Sequence, residues 1–310
     1  AAPGNLTTNA PLAFLLEDSD VALDTLYVGP GVAPASELPD HDVLFVAVGE
    51  SEATQALLQK LVPVIRDWPR PVLNPPEQIM RTSRDGAYAL LHDAPGIVIP
   101  PSLRMERSEL ELLGRGAGQR QDLPAGMAFP LIVRPVDSHA GHDLAKLDSP
   151  AEIEPYLANV AETRFFLSPF VDYRDDDGLY RKYRVVLIGG RPYAGHMAIS
   201  EHWMIHYLNA GMLESAAKRA EEARFMERFD EEFAYKHAAA IEAINERLAV
   251  DYLVIDCAET AAGELLVFEV DTGAVIHSMD PPELFPYKLP AMRKVFTAFR
   301  ALLGERAGTA

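Results

Sequence analysis

A chain of 310 residues has room for about two domains, and 48% hydrophobic with 24% charged residues is the balance of a globular protein. A formal net charge of −18 argues against a general binder of nucleic acid or of membrane surfaces, yet leaves room for a local basic pocket. The single cysteine, Cys257, excludes an intramolecular disulfide and fits a reducing, cytoplasmic compartment.

The first twenty residues have no basic region and only a short apolar run, so no signal peptide is expected, and no apolar run reaches membrane-spanning length. Residues 12–16, 25–28 and 43–48 read as short buried strands. Residues 51–65 read as a helix capped by Ser51, with Pro63 disturbing its last turn. This alternation predicts a small α/β domain with a parallel sheet, and no GxGxxG fingerprint marks a dinucleotide site. The proline-rich stretch 68–78 reads as a boundary. Residues 83–102 then read as a helix, a turn at Pro95 and Gly96, and a short strand. Residues 113–126 read as a linker loop. Residues 129–147 read as strand, glycine-containing turn, strand; a short helix and a strand at 164–171 follow. Residues 180–200 form a hairpin turning at Gly189 and Gly190. Lys182 and Arg184 share one face of its first strand and Tyr183 the other; a solvated basic strand is the alternative. Residues 214–248 are helical and heavily charged, and the tail ends in an amphipathic helix carrying Val295, Phe296, Phe299 and Leu302.

The most informative stretch is DYLVIDCAETAAGELLVFEVDTG, 251–273, two apolar runs around a loop at Ala262 and Gly263. Glu269 and Asp271, two apart, face one side, and Asp256 sits near the end of the partner strand. Three carboxylates in apolar strands repel one another and lose hydration, so a cation is expected to hold them. Oxygen donors of this kind suit Mg²⁺ or Mn²⁺. The alternative is that the acids mark strand ends facing solvent. Cations beside metal-binding carboxylates are what phosphoryl transfer or an acyl phosphate requires. The loop GxxxxGK[ST] is absent, so a P-loop enzyme is not expected. His202 and His206 are four apart, but without HExxH or a third ligand they read as pocket or core residues rather than a zinc site. His139 and His142 flank the glycine turn, where phosphate contact and a solvated loop stay equally open. Cys257 faces away from Asp256, a core position.

Four segments, SRDGAYALL, FPLIVRPVDSHAGHDL, YRKYRVVLIGG and VIDCAETAAGELLVFEVDTG, resemble those of ATP-grasp proteins of the RimK-type and glutathione-synthetase-like carboxylate–amine ligases, from about residue 72 onward. The resemblance implies a fold of α/β and α+β parts. An N-terminal Rossmann-like pre-ATP-grasp domain would span 1–75, and two ATP-grasp subdomains 76–170 and 171–310, the last with the metal and substrate site. It implies an ATP-dependent ligase that makes an amide or peptide bond through an acyl phosphate. By resemblance, Asp256, Glu269 and Asp271 hold one or two Mg²⁺, and Arg184 contacts the γ-phosphate and the acyl phosphate. Arg84, Arg134, Ser138, His139, Gly141 and Lys182 are the expected phosphate contacts, the backbone of Phe170 and Val171 serves adenine, and Asp172 serves the ribose. His196, Trp203, His206 and Asn209 are expected to line a substrate pocket beyond Arg184. The sequence departs from the family's usual lysines at Gly86 and Arg134, its glutamate at Pro169 and its asparagine at Asp271. The expected partners are a small-molecule carboxylate and an amine, such as an amino acid or peptide, without nucleic acid or membrane; a homodimer is compatible. A phosphotransferase on the same fold and a nucleotide-binding regulator without turnover are the rival readings.

Overall fold

The computed structural model describes residues 1–32, 38–116, 126–138 and 141–308. Near the N-terminus a single helical turn, α1 (Leu12–Leu15), precedes a parallel pair formed by β1 (Leu44–Phe45) and β2 (Val72–Leu73), joined by α2 (Glu52–Arg66). Ser51 caps α2 by accepting the Thr54 N–H at 3.2 Å, and Pro63 lies inside its last turn, as expected. The expected strand at 12–16 is instead helical. Residues 25–28 form no strand; the Val28 N–H goes to the Ala1 carbonyl. Apolar runs of four or five residues carry too little periodicity to separate the two states.

The short α3 (Pro76–Ile79), α4 (Arg84–Leu91) and β3 (Ile97–Val98) lead into a four-stranded antiparallel sheet. Its strands are β4 (Leu103–Glu106), β5 (Leu131–Pro135), β6 (Ala145–Leu147) and β7 (Arg164–Pro169), in the order β4-β7-β5-β6. Helices α5 (Arg107–Gly114) and α6 (Ile153–Asn159) back this sheet, burying Leu110, Ile153 and Leu157 against Leu131, Val133 and Phe165.

The second sheet contains β8 (Tyr180–Ile188), β9 (Arg191–Ser200), β10 (Tyr252–Glu259) and β11 (Leu265–Asp271), in the order β3-β11-β10-β8-β9. The charged region between its hairpins holds α7 (Ala216–Glu227), α8 (Phe233–Lys236) and α9 (Ala238–Leu248), and α10 (Lys288–Ala307) closes the chain. One face of the sheet presents Tyr183, Val185, Leu253, Ile255 and Cys257 to α4, α7 and α9. Residues 84–98, inside the expected central subdomain, pack on this sheet: Leu91 and Ile97 join the same core, and β3 runs parallel to β11. The other face buries Val186, Ile188, Tyr252 and Val254 under Val295, Phe296, Phe299 and Leu302 of α10. Strand alternation continues that second face to Lys182 and Arg184 on β8 and to Asp256 on β10, beyond the cover of α10.

Two β-bulges interrupt this sheet. Arg184 pairs with His196 and Val185 with Ala194, so Gly195 is the extra residue on β9. Asp256 pairs with Glu269 and Cys257 with Val267, so Phe268 is the extra residue on β11. Each bulge shifts side-chain alternation by one. Val267 and Val270, three apart, both enter the helix-side core, which leaves Glu269 and Asp271 on the face that carries Asp256.

Candidate functional site

A cavity of about 480 Å³ lies between the two sheets. Arg134 enters it from β5, Lys182 and Arg184 from β8, and Arg84 from the start of α4; Asp256, Glu269 and Asp271 face them from β10 and β11.

These charges are paired with one another. Arg184 donates through Nε and Nη2 to the two oxygens of Asp256 at 2.7 and 2.9 Å, and Lys182 Nζ lies 2.7 Å from the same carboxylate. Burial pushes the Asp256 carboxyl up, but the Arg184 and Lys182 charges outweigh it and hold it well below the usual carboxylate range. Arg84 donates to the Glu269 carboxylate and to the Phe268 carbonyl, and Arg134 Nη1 lies 3.9 Å from Glu269. Burial again raises Glu269, and Arg84, Arg134 and Lys182 together overcome it, so the group stays below its ordinary value. Asp271 differs: its Oδ1 accepts the Gly273 N–H at 2.6 Å. Burial, reinforced by the neighbouring Glu269 and opposed by that hydrogen bond, raises Asp271 to about 6. Burial and the nearby Arg84 charge lower Arg134 to about 9.

Ser138 and Gly141 line the cavity beside Arg134, whose Nε donates to Ser138 Oγ at 3.3 Å; His139 lies outside the described residues. Phe170 and Val171 line it from the link between the sheets, but the Phe170 N–H is taken by the Pro130 carbonyl at 2.9 Å. Trp203 also lines the cavity, next to Phe170 with ring centroids 5.7 Å apart, so it sits at the link. His206 lines it too; burial and the Lys182 charge keep that imidazole below its usual value. Asp172, His196 and Asn209 are not in the lining. Arg174 holds both oxygens of Asp172. Asn209 Oδ1 accepts the His206 N–H at 3.0 Å, closing a short 3₁₀ turn. His196 lies beside Tyr207 with ring centroids 4.8 Å apart and the rings tilted at 50°, and burial with the adjacent Arg184 holds its imidazole well below its usual value.

The missing lysine at Gly86 has a steric reason. A Cβ there would lie 2.7 Å from Ser83 Oγ and 2.9 Å from the Arg81 carbonyl oxygen, so this helix start admits no side chain. Arg84, on the same turn, delivers a cation to the cavity instead. Sequence reasoning missed Glu50, which follows the strand carrying β1 and lines the cavity with Thr7 and Gly273. Burial raises Glu50 to about 7, with Arg104 opposing and Asp137 and Asp85 reinforcing. The signal was available: ligands of parallel sheets gather at the carboxyl ends of the strands.

The acidic donors are oxygens, and the crowding that raises Asp271 would be relieved by a hard cation, so the donor chemistry fits Mg²⁺. Among the described residues, no three His, Cys, Asp or Glu side chains already converge as a metal cluster, because arginine and lysine hold the carboxylates.

Among solved structures, the chain is similar to the VanG D-Ala:D-Ser ligase from Enterococcus faecalis, with 17% identity and a TM-score of 0.52 over 86% of this chain and 74% of that one. It is similar also to the D-alanine–D-alanine ligase from Coxiella burnetii, with 14% identity and a TM-score of 0.51 over 87% and 71%. A RimK domain ATP-grasp protein from Sphaerobacter thermophilus aligns over 91% of this chain and 88% of its own, with 15% identity and a TM-score of 0.45. No protein-family model matches the chain, and no curated protein does.

Proposed function

We propose that this chain, whose fold is similar to those of the D-Ala:D-Ser and D-alanine–D-alanine ligases, is an ATP-dependent carboxylate–amine ligase of the ATP-grasp kind acting through an acyl phosphate. The observation that carries this reading is the cavity itself, in which Arg84, Arg134, Lys182 and Arg184 face Asp256, Glu269 and Asp271. A carboxylate oxygen of the first substrate attacks the terminal phosphorus of ATP, the bond to the bridging oxygen breaks, and ADP leaves. The amine nitrogen of the second substrate then attacks the acyl carbon; the C–O bond to phosphate breaks and the nitrogen loses a proton.

We assign the nucleotide to the space between residues 129–171 and 179–271. Phe170, Val171 and Trp203 supply apolar surface for the base. Arg134, with Ser138 and Gly141 of the adjoining turn, and Arg84 hold phosphate oxygens. Lys182 and Arg184 stabilise the charge that builds on the transferred group, released from Asp256 as the triphosphate competes for them. Asp256, Glu269 and Asp271 would hold Mg²⁺, which when bound neutralises and orients phosphate oxygens. The substrates are a small carboxylic acid and an amine, of amino acid or peptide size.

The test is incubation of the protein with ATP, Mg²⁺ and pools of amino acids and dipeptides, read by mass spectrometry. ADP formed in equal amount with a new amide is the expected result. ADP with a phosphorylated acceptor would make the protein a phosphotransferase, and nucleotide binding without turnover would make it a regulator.

A further inference from the structure

Arg184 lies against a neighbour that carries no functional group. Gly195 is the extra residue of the bulge on β9, opposite the step from Arg184 to Val185. Its φ is not left-handed, so backbone freedom does not explain a glycine here. Space does. A Cβ at residue 195 would lie 2.9 Å from Arg184 Cγ, 2.9 Å from the Arg184 carbonyl oxygen and 3.3 Å from Arg184 Cβ. The stem of Arg184 therefore lies across the bare α-carbon of Gly195. From that seat Arg184 donates twice to Asp256, its direct cross-strand partner on β10, and its Nη1 reaches the Val275 carbonyl at 3.4 Å. The bulge on the other side of the same strand set acts alike: the carbonyl of its extra residue, Phe268, accepts from Arg84 at 2.9 Å. Bulges are a recurrent device for re-aiming a side chain beside an active site.

We propose that Gly195 is a positioning residue, whose missing side chain seats Arg184 for the transferred phosphoryl group. This rests on the ligase reading for its kinetic consequence but not for the contact itself. The experiment is a double-mutant cycle in the full chain with Gly195→Ala, Arg184→Ala and the double variant, followed by ATP-dependent turnover and by unfolding in denaturant. Gly195→Ala should lower kcat by about 10²-fold, as loss of one transition-state contact does, with a smaller change in the KM for ATP. The double variant should turn over within about threefold of Arg184→Ala alone, since both changes remove one interaction. Losses that multiply, or a kcat of Gly195→Ala within about twofold of the unsubstituted protein, would overturn the proposal. In unfolding, the added methyl should cost less when Arg184 is already alanine, because its clash with the Arg184 Cγ is then gone while those with the carbonyl oxygen and Cβ remain, and equal costs in both backgrounds would refute the seating of the Arg184 stem. If Gly195→Ala fails to fold, folding of the double variant supports the proposal, and failure of both counts against it. Should the unsubstituted protein show no turnover at all, the ligase reading falls, while the unfolding cycle still decides whether Gly195 seats Arg184.

Discussion

At the scale of single residues the site is a set of opposite charges awaiting a competitor. Arg184 holds Asp256, and its proposed partner during catalysis is charge that develops on the moving phosphoryl group. Arg184→Ala is therefore expected to lower kcat by about 10²–10³-fold while changing the Kd for ATP far less, checked by steady-state kinetics beside calorimetry. Unchanged turnover would reduce Arg184 to an ion-pair partner. Asp271 is the complementary case. Its folded value of about 6 lies above its ordinary 3.8, so the native state holds the extra proton more tightly than the unfolded chain. The stability this contributes is complete below about pH 4 and is lost as pH rises through about 6. Asp271→Asn removes the ionisation. Relative to the unsubstituted apo-protein the variant should gain stability between pH 4 and 7, on the order of 1–2 kcal/mol once solvent in the cavity is allowed for. With fewer anionic oxygens it should also bind Mg²⁺ more weakly while retaining turnover. Denaturant titrations across that pH range and a metal titration would test both; a pH-independent difference would mean that Asp271 is not the crowded carboxylate described.

At the scale of elements, a buried asparagine ties β2 to β10. Asn74 is fully buried with φ at 49°. Its Oδ1 accepts the N–H groups of Asp251 and Tyr252, both at 2.9 Å, and its Nδ2 donates to the Tyr252 carbonyl at 2.9 Å. Asn74→Ala strands these backbone groups and forces alanine into a left-handed conformation. We expect a loss of about 3–4 kcal/mol in denaturant unfolding. Asn74→Gly loses the same hydrogen bonds without the backbone strain, so it should be milder by about 1 kcal/mol. Equal losses would show that φ carries no strain. None of this was visible in the sequence, where Asn74 lay inside a proline-rich boundary. The two long hairpins and α10 were legible because alternation, paired glycines and the spacing of Val295, Phe296, Phe299 and Leu302 are local signals. Short strands were not, since 12–16 carries the same apolar content as a helical turn. The bulges at Gly195 and Phe268 are features of register, fixed only by a partner strand. Their one trace is core residues spaced by three, Ala194 with Met197 and Val267 with Val270. At the site, the sequence placed cations and acids on common faces. It could not say that each cation would already be holding an acid, because that depends on which strand pairs with β8 and on where α4 and β5 come to lie against the acids.

At the scale of the molecule, the small sheet is joined to the N-terminal unit by charge. The buried cluster of that sheet draws on residues between Leu110 and Leu167, whereas the cluster around α2 is made of Val46, Val48, Leu58, Ile65 and Ile79. Polar groups span the two. Arg104 of β4 donates to Glu52 at 2.7 Å, Arg164 of β7 pairs with the same carboxylate, and Asp137, just after β5, accepts the N–H groups of Glu52 and Ala53 at 3.1 and 3.4 Å. Asp137 thus places a carboxylate on the positive end of α2, and it does so with φ at 62°. The contact is favourable and the backbone is strained. In Asp137→Gly the lost helix-end interaction, about 0.5–2 kcal/mol, is offset by relief of left-handed strain of about 1–2 kcal/mol. Global unfolding should accordingly shift by less than about 1 kcal/mol. The local consequence should be larger, because this turn continues into Ser138 and the wall that carries Arg134. Hydrogen exchange should accelerate at the amides of Glu52 and Ala53 and along the turn, and the KM for ATP should rise with kcat nearly unchanged, as expected when a wall is loosened rather than a transition-state contact removed. Asp137→Asn, which also tolerates a left-handed backbone and keeps a carbonyl acceptor, should lie between the two. If Asp137→Gly destabilises the whole protein while leaving exchange at Glu52 and Ala53 unchanged, the carboxylate serves the fold of the turn and not the junction. If exchange accelerates while the KM stays level, the junction exists but does not shape the nucleotide site.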